Sequence, residues 1–124
     1  MNLDFLDDFP AEWRGEVLEF LRGERKEFSE EVRAEALDQD GTDFQGAVLR
    51  EMAKIPYGEV KSYGELALAA GYPRAARAVG TVCRNNKYPI IIPCHRVVGS
   101  NGLGGYAFGL VMKRELLKIE GVTF

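Results

Sequence analysis

Cys94 and His95 stand side by side in "IIIPCHRVVG" (90–99), and His95 is the only histidine in the chain. A cysteine attacks as its thiolate, and a free thiol titrates near ~8.5, so a neighbouring base or cation must take or offset its proton. Imidazole is the side chain whose ordinary pKa suits that task at neutral pH. On extended backbone, adjacent side chains point to opposite faces. A working Cys94–His95 pair therefore needs a turn at Pro93–Cys94 or a bridging water. Such a pair fits several chemistries, acyl transfer and redox sensing among them, and spacing does not choose between them. Cys83 lies in an alanine-rich stretch and reads as a small core residue.

The rest of the chain bounds what this pair can serve. With 124 residues and 46% apolar content, it is one domain, or one domain with a small appendage. No run approaches the ~18 apolar residues of a membrane span. The opening "MNLDFLDDFP" is acidic and lacks the basic and apolar regions of a secretory signal. Two cysteines make no disulfide framework, and one histidine leaves no zinc set. A reducing, cytoplasmic or otherwise intracellular setting is the simplest reading.

The net charge of −3 conceals a polarity: residues 1–43 sum to −9 and residues 44–124 to +6. Between Glu65 and Glu115 there is no acidic residue, while Arg74, Arg77, Arg84, Lys87, Arg96, Lys113 and Arg114 all fall there. This stretch either pairs with the acidic N-terminal third or presents a positive field to nucleic acid.

Helical periodicity is expected over "PAEWRGEVLEFLRGERKEF", and "SEEVRAEALDQDGTDF" reads as a connector with room for a short strand. Thr42 with Gln45, and Ser62 with Glu65, have the spacing of capping boxes and start two further helices. Pro73 opens "PRAARAVGTVCRNN", so "SYGELALAAGYPRAARAVGTVCRNN" has the shape of a helix-turn-helix. Its second helix is lined with small residues and projects Arg74, Arg77 and Arg84, which suits close approach to a backbone or minor groove more than base reading in the major groove. Ile90, Ile91 and Ile92 are expected to form a short buried strand and Val97–Val98 a second. "LVMKRELLKIEGV" closes the chain as an amphipathic helix with Leu110, Leu116, Leu117 and Ile119 inward.

"PCHRVV" resembles the active-site signature of the O6-alkylguanine-DNA alkyltransferases. The similarity extends over about residues 42–124, through "GTDFQGAVLREMAKIPYGEVKSYGELA", "PRAARAVGTVCRNN", "GGYAFGL" and "LLKIEG". It implies an α+β, mostly helical fold: a winged helix-turn-helix-like alkyltransferase domain at 42–124, after a shortened helical N-terminal segment and connector at 1–41. The implied activity is single-turnover DNA repair, in which an alkyl group passes from O6-alkylguanine to Cys94, with O4-alkylthymine left open as a second substrate. The implied partner is double-stranded DNA carrying O6-alkylguanine. No cofactor, metal or membrane enters, and the protein acts as a monomer.

The resemblance also implies roles. Cys94 is the acceptor thiolate, His95 the base acting through a water, and Glu120 the carboxylate that orients His95. Asn86 ties the helix-turn-helix to the active-site turn. Tyr63 donates to the flipped guanine and helps rotate its phosphate. Backbone at Cys94 and Val97 holds the exocyclic amine, and Tyr106 lines the pocket. Arg77 fills the gap left in the stack, with Arg74, Arg84 and Arg96 on the DNA side. Ala107 stands where many relatives have serine, so a hydroxyl contact to O6 is replaced by a backbone N–H. Two other readings compete: a lesion sensor, whose family members lack the cysteine, and a helix-turn-helix regulator with an inert thiol.

Overall fold

Short side-chain bonds fix where the helices start. The computed structural model describes all 124 residues. Thr42 and Gln45 bond reciprocally at the start of α3 (Asp43–Ala53), and Ser62 and Glu65 do so at α4 (Tyr63–Ala69). Each box satisfies two backbone N–H groups that a helix end leaves unpaired. Ser29 caps α2 (Glu30–Leu37) by accepting from Val32 N. A helix thus occupies the connector where a short strand had room, because the Ser29 cap and the buried Val32 and Ala36 outweigh its weak periodicity.

The N-terminal third packs onto the rest through aromatic rings. Two 3-10 turns, Asp4–Asp8 and Ala11–Trp13, lead into α1 (Arg14–Leu21). Phe5, Phe9, Trp13, Val17 and Phe20 are buried, in the same cluster as Val48, Val79, Ile92, Cys94 and Leu116. Tyr88 receives Trp13 edge-on at 4.9 Å and Phe9 at 5.8 Å. Such pairs contribute about 0.5–1.5 kcal/mol each beyond area burial. Phe20 reaches His95, with ring centroids 6.2 Å apart. The first 28 residues therefore roof the reactive turn.

α3, α4 and α5 (Ala76–Asn85) form a tight trio, with α4 and α5 as the helix-turn-helix pair. Pro73 does not open α5; the chain turns first and the helix begins at Ala76. On α5, Val79 and Val82 face the core while Arg77 and Arg84 stay exposed.

The isoleucines depart from expectation. Ile90–Ile92 is a tight turn, with Ile90 at φ +76° and bridge pairing only between Pro89 and Ile92. A β-branched residue at positive φ is rare and strained, by about 1–3 kcal/mol. Burial of all three side chains, at 3% exposure or less, offsets that strain. The turn feeds a single 3-10 turn at Cys94–Arg96 and then β2 (Val97–Val98), which pairs in parallel with β1 (Lys61–Ser62). α6 (Leu110–Ile119) buries Met112, Lys113, Leu116 and Leu117. Leu110 is 45% exposed, contrary to its expected inward place, because the inner stripe runs through Lys113 instead. The α+β, mostly helical architecture expected from the resemblance is the one observed. No helix is long and apolar enough to cross a membrane.

Candidate active site

Cys94 stands at the start of the 3-10 turn, so the alternation of an extended strand does not apply to it and His95. Its sulfur accepts from Asn86 Nδ2 at 3.4 Å. The same amide group donates to Ile92 O at 2.9 Å, which ties the end of α5 to the strained isoleucine turn. Burial pushes the Cys94 thiol up, and Asn86, Tyr106 and Lys113 only partly offset this. The resting site therefore holds a protonated thiol and depends on a base to remove its proton.

His95 is fully buried, and its Nε2 lies 2.6 Å from Glu120 Oε2. Burial lowers the His95 pKa, and the pull of Glu120 only partly opposes it. Burial also acts to raise Glu120, but bonds to His95, Arg96 and Gly58 outweigh it and hold the carboxyl below its ordinary range. A neutral imidazole beside a carboxylate must donate Nε2–H, which leaves the Nδ1 lone pair free. Nδ1 is buried and has no protein hydrogen-bond partner. The site thus contains a neutral base with one unengaged nitrogen.

Arg96 corrects an expectation. Placed by sequence on the DNA side, it is buried: Nε donates to Glu120 at 2.9 and 3.1 Å, and Nη1 to Ile55 O at 2.7 Å. A carboxylate in this core needs a second cation or donor besides a neutral histidine, and Arg96 supplies it. Gly58 completes the set, its N–H donating to Glu120 Oε1 at 2.8 Å from a turn at φ +82°.

In front of Cys94 lies a cavity of about 280 Å³, lined by Tyr63, Arg77, Cys83, Arg84, Tyr106 and Ala107 among others. Two larger hollows, of about 490 and 680 Å³, lie beside Met1 and include none of these residues. Tyr106 Oη is buried without an aligned hydrogen bond, yet close enough to Cys94 to bear on its thiol. Burial pushes Cys83 up to about 12, with Cys94 adding to the effect, so this second thiol stays protonated. Gly104, at φ +73°, lies so close to Tyr63 that a Cβ would stand 2.9 Å from its hydroxyl. Tyr63 Oη accepts from Gly105 N at 3.2 Å.

A sequence profile of the 6-O-methylguanine DNA methyltransferase DNA-binding domain matches residues 43–122. The chain belongs to the O6-methylguanine DNA methyltransferase family. A methylated-DNA–protein-cysteine methyltransferase of Methanosarcina acetivorans is 44% identical over 116 residues, covering 93% of this chain and 71% of that protein. The structure of Mycobacterium tuberculosis OGT in complex with DNA superposes with a TM-score of 0.80 at 42% identity, over 90% of this chain and 65% of that one. Schizosaccharomyces pombe Atl1, bound to damaged DNA containing O6-carboxymethylguanine, gives 0.58 at 32% identity, over 68% of this chain and 81% of that one. The chain thus spans about two thirds of the Mycobacterium protein's length.

Within this family frame, Arg74, Arg77 and Arg84 are exposed along and just before α5, and Asn86 closes that helix. Val97 is fully buried, and its carbonyl already accepts from Lys113 Nζ at 2.6 Å. The same ammonium donates to Gly105 O at 2.7 Å, so Lys113 joins β2 to the pocket loop. Sequence reading counted Lys113 only among the surface cations. Its signal was periodicity: it falls on the inner stripe of α6, between Met112 and Leu116, where a lysine is rare unless paired. Gly58 carries no such signal, since a backbone donor leaves no mark in residue type.

Proposed function

We propose that this chain repairs DNA directly, moving an alkyl group from guanine O6 to the sulfur of Cys94, once per molecule. The observation that carries the reading is a buried thiol at a cavity of about 280 Å³, backed by a neutral histidine locked to Glu120. In this reading α5 lies against duplex DNA, with Arg74, Arg77 and Arg84 toward phosphates and bases. The lesion leaves the stack, at a cost of a few kcal/mol that is lower for a damaged base. It enters the cavity between Tyr63 and the Gly105–Ala107 loop.

His95 Nδ1 then draws the proton from Cys94 through one bridging water. Glu120 stabilises the imidazolium that forms. The thiolate attacks the alkyl carbon in line: an S–C bond forms, the C–O6 bond breaks, and its electron pair stays on O6. Tyr63 supplies a proton to the leaving guanine. The thioether is a dead end, so the protein is consumed. Val97 O holds one donor from Lys113 and keeps a second lone pair for the exocyclic amine. Ala107 offers only its backbone N–H toward O6. Apart from that water, the chain's own residues supply every group the transfer needs, and one copy carries the full set, as for a monomer that works inside the cell where DNA is.

The test is mass spectrometry after incubation with a duplex oligonucleotide bearing O6-methylguanine. One methyl on Cys94 at saturation, none on Cys83, and normal transfer by Cys83→Ala are the expected results. Tight lesion binding without transfer would assign a sensor, and sequence-selective binding without transfer a regulator. Methyl on Cys83 or repeated turnover would reject the mechanism.

A further inference from the structure

The Asn86 amide beside Cys94 is held from behind. Its Oδ1 accepts from Gln39 Nε2 at 3.0 Å and from Tyr88 N at 3.2 Å, while its Nδ2 donates to Ile92 O and Cys94 Sγ. Gln39 lies outside the helix-turn-helix, in the "LDQDG" segment after α2, 47 residues away in sequence. Its own orientation is determined by backbone. Nε2 also donates to Ala36 O at 2.9 Å, and Oε1 accepts from Lys87 N at 3.1 Å. A carbonyl demands a donor and an N–H demands an acceptor, so the Gln39 amide has one consistent orientation. That orientation turns its NH2 toward Asn86, which matches oxygen toward Gln39 and NH2 toward the sulfur.

We infer that Gln39 is a positioning residue for the reactive cysteine: through Asn86 it orients and polarises the N–H that the Cys94 sulfur accepts. The inference rests on the alkyl-transfer reading for its purpose, though not for its test. Donation from Gln39 to Asn86 Oδ1 makes the Nδ2 hydrogens better donors, as in any hydrogen-bonded amide chain. The beneficiary is the thiolate, because a charged acceptor gains more from a donor than a neutral thiol does. The relay also gives the N-terminal third a part in the chemistry, since α2 supplies one of the anchors that hold Gln39.

The experiment uses iodoacetamide and no DNA, in the full chain carrying Cys83→Ala, so that Cys94 is the only thiol. The rate of Cys94 alkylation against pH gives the midpoint of its ionisation. The titratable groups bearing on this midpoint are Tyr106, Lys113 and Tyr63, with His95 next in the chain, and Gln39 hydrogen-bonds to none of them. Gln39→Leu removes the donor, and the midpoint is expected to rise by about half a pH unit, roughly a threefold slower reaction at neutral pH. Gln39→Glu keeps the shape but sets oxygen against Oδ1 and adds a negative charge, so a larger rise is expected. Because Gln39 is only half-buried, water replaces its lost backbone partners and the fold survives at least the glutamate change. A midpoint unmoved in both variants overturns the proposal, as does a slower reaction with no shift, which would be general loosening. The parent's methyl transfer from DNA is read separately, so loss of that reading and loss of this one are distinguishable.

Discussion

The Nε2 of His95 lies 2.6 Å from the Oε2 of Glu120, with both side chains wholly out of solvent. The same carboxylate takes Arg96 on its other oxygen at 2.9 Å. One buried charge thus serves two neighbours in sequence. It fixes the tautomer of the base and neutralises the arginine that would otherwise stand unpaired. Glu120→Gln keeps the volume but removes the charge, and one amide cannot accept from both His95 and Arg96 at both ends. The expected cost is about 3 kcal/mol, typical of breaking a buried ion pair from one side. A urea titration measures it, and a loss below about 1 kcal/mol would mean that Arg96 finds another partner.

Acid should unfold the protein earlier than its carboxylates alone require. Burial lowers the His95 pKa in the folded state from the unfolded value near 6.5. Between the two values the unfolded chain binds a proton that the native state refuses. Stability therefore falls as pH drops below 6.5, and continues to fall until the folded pKa is passed. Glu120 has the opposite chemistry but the same sign, because its carboxyl is depressed below 4.5 and loses its contribution as acid protonates it. Unfolding free energies at pH 7, 6 and 5 should decline, and His95→Gln should flatten the part above pH 5. An unchanged slope in that variant would remove His95 as the cause.

Much of this was legible in residue types, and the misses have physical reasons. The capping boxes at Thr42 and Ser62 announced α3 and α4, because capping is local. Ile90–Ile92 looked like a strand because β-branched residues favour one, but tertiary burial and the Asn86 bond to Ile92 O hold a turn that propensity opposes. Arg96 looked like a DNA contact because charge gives no sign of direction; only the fold shows that it turns inward to Glu120. Gln39 was invisible because its role depends on a partner 47 residues away. The roof over His95 was unforeseen for a related reason: Phe20 was legible as apolar, but not which surface it would cover.

Lys113 should prove structural at the pocket. Both carbonyl partners lose their donor in Lys113→Met: the buried Val97 O is left unpaired at about 1–3 kcal/mol, while the exposed Gly105 O turns to water. Burial brings the lysine down to about 8 from its ordinary 10.5. The unfolded chain keeps this proton up to about 10.5 while the native state releases it, so this group's contribution to stability rises from pH 8 toward 10.5. A neutral amine still has hydrogens for both carbonyls, so the loop should stay in place there. Melting curves at pH 8 and 10 check this: the buried thiols lose stability over that interval in both proteins, so the parent should gain relative to Lys113→Met, and an unchanged gap would remove Lys113 as the cause.

DNA affinity should fall with salt despite the net charge of −3. With Arg96 buried, the exposed cations around α5 are Arg74, Arg77, Arg84 and Lys87. If each neutralises one phosphate, log K against log salt should have a slope of about −3.6, from about −0.9 per phosphate on duplex DNA. Fluorescence anisotropy between 50 and 200 mM salt, roughly the range over which such slopes are read, measures it. A flat response would place the DNA surface elsewhere, and Arg96→Lys should leave the slope unchanged because that residue meets no phosphate.

Arg77 offers the sharpest division between holding DNA and opening it. An alkyl group on O6 sits at the major-groove edge of a stacked base, but the thiol of Cys94 is recessed in a pocket that a stacked base cannot enter. Extrusion leaves a hole, and the base returns unless something fills it. Arg77 lines the cavity and is exposed on α5, beside Ala76 and Gly80, whose small size lets the helix backbone approach the groove. A guanidinium is planar, so it can stack in the vacated space and still donate to the orphaned partner base. A substrate that needs no flipping separates the roles. Arg77→Ala should react slowly with O6-methylguanine in a duplex, yet nearly normally with free O6-benzylguanine. If Arg77 only contacts phosphate, single- and double-stranded DNA should weaken alike, and the salt slope should fall by about one. An equal loss on the free base would show that Arg77 shapes the cavity wall, and the wedge role would have to be abandoned.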